Sequence, residues 1–271
     1  MTPEHWLRVF RIIGKNMKDG LSAFLQQEGN DIPLARGAGG DKTFPIDQWA
    51  ENIVLASLEK IHASGESFTL ISEELGIRRF GSDTPIILVD PIDGSNNAKS
   101  GIPFFSLAVA FFEGNSMSDL SVGYIAHLAA DDEFWTIRGT GAYQNGKRMK
   151  TSRAEKPHIL AYEASAPATD IPCIMPLIKQ SRRARCFGST ALDLAYLASG
   201  AIDVFVTASR SRPFDYAAGL LMVQEAGGIM TDFTGASLHD VPIGLDRSVP
   251  LLASSNERLH AVVLDLLAHH C

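Results

Sequence analysis

Asp90-Pro91-Ile92-Asp93-Gly94-Ser95 sets two carboxylates three residues apart, followed at once by a glycine and a hydroxyl. The apolar run 86–89 before it has the character of a buried strand, so Asp90 is expected at a strand end, where its side chain is held rigidly. Pro91 stiffens the next step and lets Asp93 converge on the same point. Gly94 permits close backbone approach, and Ser95 is placed to open a helix with its amides free. Two carboxylates beside free amides can hold cations and the anion those cations bind. A bare D-x-x-D is more often an Asp-rich turn with a serine N-cap, so the surroundings decide. Ser72-Glu73-Glu74 also follows an apolar run, and Pro213-Phe214-Asp215-Tyr216-Ala217-Ala218-Gly219 puts Asp215 at a helix start, where alone it would read as an N-cap. Four such carboxylates, with no His or Cys among them, would make a hard all-oxygen site suited to Mg²⁺ or Mn²⁺.

The elements that must position these groups follow from the hydrophobic period. Pro3 starts a helix in which Trp6, Phe10, Ile13, Met17, Leu21 and Phe24 recur at helical spacing. After the Gly-rich stretch 37–40 and Asp41, a second helix is expected with Asp47 as N-cap, Ile46 as its staple, and Ala50, Ile53, Val54, Leu58 and Ile61 on the buried face. From Phe68 the period shortens: strands are expected at 68–72, 85–89, 105–112, 120–127 and 133–137, in an antiparallel meander. The second half alternates more evenly, with strands at 159–162, 184–187, 202–206, 229–231 and 250–253. Its helices fall at 190–199, 215–226 and 256–269, the last introduced by a Ser254/Glu257 capping box. The class is mixed α and β in layers, divided as 1–151 and 152–271.

The chain has 271 residues and a formal net charge of −7, from 31 Asp+Glu against 24 Lys+Arg. That balance argues against a general nucleic-acid binder, which needs a basic surface to displace counterions. It does not argue against an anionic substrate, because bound cations reverse the local field. No stretch is apolar and long enough to span a bilayer, and charges recur through residues 1–20, so neither a membrane anchor nor a signal segment is expected. Cys173, Cys186 and Cys271 fit no zinc spacing and no secreted framework; buried or free thiols in a reducing cytoplasm are expected.

In these residues the sequence resembles the inositol monophosphatase family, in the superfamily that includes fructose-1,6-bisphosphatases. Three motifs match in order: Gly40-Asp41-Lys-Thr-Phe-Pro-Ile-Asp47; Ser72-Glu73-Glu74 with Asp90-Pro-Ile-Asp-Gly-Ser95; and Phe214-Asp215-Tyr-Ala-Ala-Gly219, running into Gln224-Glu225-Ala226-Gly227-Gly228. Ser95 stands where Thr is usual, Asn97-Ala98 where Asn-Phe is frequent, and Phe214 where Trp is usual. The resemblance implies an α+β fold, a layered αβαβα sandwich with its metal site at the junction of two halves, and a homodimer. It implies that Glu73, Asp90 and the Ile92 carbonyl hold one Mg²⁺, and that Asp90, Asp93 and Asp215 hold a second. A third, weaker ion would sit near Glu73. The amides of Gly94 and Ser95 would cradle phosphate, and Asp47 would pair with Ser95 to orient the attacking water.

Gly188-Ser189-Thr190 resembles the family's sugar-contacting turn. The stretch 207–212 lacks the carboxylate that inositol-specific members carry there. It offers Arg210 and Arg212 instead, which suit a second anionic group or are solvated surface residues, and it looks more like the archaeal-type members. The expected activity is hydrolysis of inositol 1-phosphate, fructose 1,6-bisphosphate or both. The alternatives are a 3′-phosphoadenosine 5′-phosphate phosphatase and a silent phosphometabolite-binding protein.

Overall fold

The computed structural model describes residues 1–26, 34–40 and 42–268; Asp41, His269 and Cys271 lie outside the described residues. Helix α1 (Pro3–Leu25) buries the expected stripe from Trp6 to Phe24 on one face. A short ribbon of β1 (Ala35–Arg36) and β2 (Lys42–Thr43) precedes α2 (Pro45–Ala63). That helix begins earlier than its sequence reading. Phe44 is the N-cap, and Asp47 sits in the first turn with Oδ2 accepting the Phe44 N–H at 2.8 Å. This corrects the N-cap assignment of Asp47 and the staple assignment of Ile46. Proline at the first helical position needs no donor, and a carboxylate two residues further reaches back to the free one.

Strands β3 (Phe68–Ser72), β4 (Gly76–Asp93), β5 (Ser106–Phe112), β6 (Leu120–His127), β7 (Glu133–Ile137), β8 (Gly141–Gln144) and β9 (Lys147–Arg148) form one seven-stranded sheet in that order. From β4 onward the pairing is the expected antiparallel meander. The first pairing is different. The early part of β4 folds back on β3, with Ser72 opposite Gly76, and residues 86–89 then run parallel to β3, with Ser72 beside Val89. This parallel register brings the ends carrying Glu73 and Asp90 out on the same edge.

After the short helix α3 (Ser95–Lys99) and the first sheet, a second sheet has the order β11-β10-β12-β14-β13. Its members are β10 (Ile159–Glu163), β11 (Arg183–Arg185), β12 (Val204–Ser211), β13 (Ile229–Thr231) and β14 (Val249–Ser254). The helices around it are α4 (Pro167–Gln180), α5 (Thr190–Ala198), α6 (Pro213–Ala226) and α7 (Glu257–Ala268). Helix α4 is absent from the sequence reading because Pro172 and Pro176 lie inside it. Its Ile174 and Leu177 nevertheless pack with Leu259, Val263 and Leu267 of α7. Arg212 caps α6, so Asp215 is a first-turn residue and not the N-cap. The α7 start is held by Asn256, whose Oδ1 accepts the Leu259 N–H at 3.0 Å. Ser254, expected to cap it, bonds His260 instead.

The layers run α1/α2, first sheet, α5/α6, second sheet, α4/α7. The middle helices share one apolar cluster with both sheets, including Leu88, Ala110 and Phe134 on one side and Phe205, Leu251 and Ala253 on the other. The αβαβα sandwich is therefore present. Cys173 is disulfide-bonded, which corrects the expectation of three buried or free thiols. Cys186 is free and exposed, so those two cysteines are not bridged to each other. Among the described residues no helix is long and apolar enough to cross a membrane.

Candidate active site

Three chain segments deliver acidic side chains to one cleft of about 400 Å³: Glu73 just past β3, Asp90 and Asp93 at the end of β4, and Asp215 in the first turn of α6. Ile92, Gly94 and Ser95 line the same cleft, with Gly188, Thr190, Arg210 and Arg212 across from them in the second half of the chain. Gly94 is required twice over. Its φ of 91° is left-handed, and a Cβ there would meet the Gly188 carbonyl oxygen at 2.8 Å. Only a glycine lets the β4–α3 turn approach the turn before α5 this closely.

The carboxylates are oriented by backbone. Asp90 Oδ1 accepts the Ile92 N–H at 3.0 Å, and Asp215 Oδ2 accepts the Arg212 N–H at 3.1 Å. Asp93 Oδ2 accepts the Ser189 hydroxyl and, at 2.8 Å, the Ala191 N–H, which sets a carboxylate against the positive end of α5. Burial pushes the Asp90 carboxyl well up, and repulsion from Glu73, Asp93 and Asp215 adds to it. Asp93 is pushed up to about 7, by burial first and then by Asp215 and Glu163, against the hydrogen bonds from Ser189 and Ala191.

Such crowding is costly unless positive charge offsets it. Part of the offset comes from Arg212, which is buried and lies 3.4 Å from Glu73 Oε1. Among the described residues no three acidic, histidine or cysteine side chains already form a ready-made ligand group. The donor chemistry still fits a hard divalent cation: four carboxylates and the Ile92 carbonyl on one cleft, with no sulfur or imidazole.

Other expected residues fall differently. Asp47 is buried, outside the cleft lining, and committed to the Phe44 N–H; it makes no hydrogen bond with Ser95. Burial raises its carboxyl, while the Phe44 N–H and Lys99 pull it down. Ser189 is buried beneath the turn as the α5 cap and the partner of Asp93, whereas Gly188 and Thr190 reach the cleft. Arg210 is exposed on the rim, but Arg212 is engaged with Glu73, so the two arginines do different work.

Three groups escaped the sequence reading. Arg247 lines the rim and donates from Nη1 to the Arg210 carbonyl at 3.0 Å. Glu163 lines the wall at the end of β10. Glu51, on α2, accepts the Ser72 hydroxyl at 2.5 Å and is pushed up to about 7, by burial first. None stands in a motif, and only the strand-end position of Glu163 carried a signal.

Comparison with known proteins finds relatives along nearly the whole chain. The sequence profile of the inositol monophosphatase family matches residues 8–270. The fructose-1,6-bisphosphatase/inositol-1-monophosphatase of Methanothermobacter thermautotrophicus is 31% identical over 274 residues, covering 97% of this chain and 96% of that protein. The bifunctional NADP phosphatase/NAD kinase of Methanococcus maripaludis is 33% identical over 279 residues and covers 95% of this chain. The chain spans about half of that protein, 48% of its length. Among solved structures, the extragenic suppressor protein suhB from Bartonella henselae superposes with a TM-score of 0.83 at 27% identity, covering 97% of this chain and 98% of that one.

Proposed function

The chain belongs to the inositol monophosphatase family and is a phosphoric monoester hydrolase, and from that premise we propose that it hydrolyses a small sugar or cyclitol phosphate, inositol 1-phosphate, fructose 1,6-bisphosphate or both, with Mg²⁺ as cofactor. The observation that carries this reading is the convergence of Glu73, Asp90, Asp93 and Asp215, from three segments, on the cleft that also holds the Gly94–Ser95 turn.

Glu73, Asp90, Asp93, Asp215 and the Ile92 carbonyl would hold the metal. When bound, Mg²⁺ supplies the positive charge that stabilises a transferring phosphoryl group and makes water a better nucleophile. The chain's own groups do the rest. The Gly94 and Ser95 amides bind phosphate oxygens, and the Ser95 hydroxyl orients the attacking water. Ser189 and Ala191 fix the Asp93 carboxylate so that it need not reorganise during the reaction. Asp47 supports this site at one remove, by holding the start of α2. Arg212 balances Glu73, and Arg210, exposed on the rim, meets a second anionic group of the substrate. The resemblance extends the proposal to a homodimer.

The test is phosphate release with Mg²⁺ from inositol 1-phosphate, fructose 1,6-bisphosphate, NADP and 3′-phosphoadenosine 5′-phosphate. Turnover of either of the first two, abolished by chelator, is the expected result. Turnover confined to the nucleotides would overturn the substrate class while keeping the phosphatase. Metal-dependent binding with no turnover would favour the silent binding protein.

A further inference from the structure

The wall of the cleft facing the four acidic residues carries a carboxyl pair of its own. Glu163, the last residue of β10, lines the cleft beside Ala164 and Ser165, and its Oε1 accepts the Gly188 N–H at 2.7 Å. Behind it lies Asp193 of α5, fully buried, with neither carboxyl oxygen in a well-formed hydrogen bond among the described residues. After burial itself, Glu163 acts most strongly on Asp193, and both carboxyls are pushed up. Two neighbouring carboxyls oppose each other's ionisation, most strongly where one of them is enclosed away from water. Asp193 is the enclosed member of the pair, and Glu163 is the one that meets the cleft.

We propose that Glu163 binds the hydroxyl groups of the substrate's ring or chain, and that the buried Asp193 behind it is its positioning residue. This rests on the sugar- or cyclitol-phosphate reading of the site. A carboxylate accepts hydrogen bonds from hydroxyls and repels phosphate oxygens, so on the cleft lining it favours the polyol end of the substrate over the phosphate. The stretch 207–212 supplies no carboxylate for this task. Glu163 is also preorganised. One oxygen is fixed by Gly188, and that turn is fixed in turn by Asn97, whose Nδ2 donates to the Phe187 carbonyl at 2.6 Å and the Phe104 carbonyl at 2.8 Å.

The experiment compares inositol 1-phosphate with p-nitrophenyl phosphate, which has a phosphate and no polyol. Glu163→Gln keeps the shape and an oxygen for Gly188 but loses the charge. It should lower the preference for inositol 1-phosphate, read as the ratio of kcat/KM values, about tenfold or more, the size expected for a lost hydrogen bond to a charged group. The loss should fall on KM rather than kcat. Asp193→Leu should move the ratio the same way, and Asp193→Asn, which keeps the shape and polarity of the side chain behind Glu163, should restore most of it. An unmoved ratio in Glu163→Gln, with both substrates turned over, would overturn the role of Glu163 and leave the substrate class standing. Turnover of p-nitrophenyl phosphate and of no polyol phosphate by the unaltered protein would overturn both.

Discussion

Asp93 joins both halves of the site, with one oxygen tied to Ser189 and Ala191 while its carboxylate lies among the other acidic groups. Asp93→Asn keeps the shape and removes the charge, so phosphate release with Mg²⁺ should fall by at least ~10²-fold, the scale on which a lost preorganised charge is felt. Far-ultraviolet circular dichroism should stay as it was. Retained turnover would remove Asp93 from the mechanism. The same group governs stability in the metal-free protein. Its folded pKa, about 7, lies above the ordinary 3.8. Its contribution is therefore fully present below about pH 4 and is lost as pH rises through about 7. His260 works in the opposite sense over much of this window, because burial lowers it to about 4. The useful comparison is thus between the unaltered protein and Asp93→Asn, which share His260. With metal chelated, melting temperature should fall less steeply from pH 4 to 7 in the variant, and a parallel fall in the two would count against the assignment. At this scale the acidic motif residues were legible, because their chemistry and their spacing coincide. The burial of Arg212 against Glu73 and the hydrogen bond between Glu163 and Gly188 were not, because both depend on contacts between residues distant in the chain.

Helices α5 and α6 carry the second half's share of the site, the cap that holds Asp93 and the first turn that holds Asp215. Their packing leaves no room at Gly219, where a Cβ would come within 2.5 Å of the Leu194 Cβ. Gly219→Ala has nowhere to put its methyl unless the helices part, and overpacking of this kind costs about 1–3 kcal/mol. Denaturant unfolding should show that loss. Activity should drop with it, since parting the helices shifts Asp215 relative to Asp93; full activity would mean the pair yields elsewhere. The sequence conveyed α6 well, because an apolar helix with an acidic first turn reads clearly. It hid α4, whose two prolines are signals against a helix and which is held instead by its packing on α7. It also misplaced three caps. At Asp47 and Asp215 a side chain three residues inside the helix does the work expected of the cap itself, and at α7 Asn256 stands in for Ser254.

Over the whole chain, the division at 151/152 suits the motifs, but the core does not respect it. Helices α5 and α6 bury the inner faces of both sheets in one apolar cluster, in which Leu88, Ala110 and Ile125 from the first half meet Ala161, Phe205 and Ala253 from the second. The resemblance led to the layered order of the fold. That one cluster would fuse the halves could not be read locally, because both sheets' strands are simply apolar runs. Removing the second half would expose the inner face of the first sheet, and removing the first half would expose the faces of α5 and α6 that pack on it; an uncovered apolar face does not sustain a cooperative fold. The cleft sits on the same seam, with Asp93 of one half hydrogen-bonded to Ser189 and Ala191 of the other. Loss of the site and loss of the fold should therefore be a single event. In calorimetry the chain should unfold in one transition, with matching calorimetric and van't Hoff enthalpies, and bound Mg²⁺ should move that whole transition upward. A fragment of residues 1–151 should show no cooperative transition of its own. Two resolved transitions, only one of them sensitive to Mg²⁺, would mean that the halves are separate domains and that the site belongs to one of them.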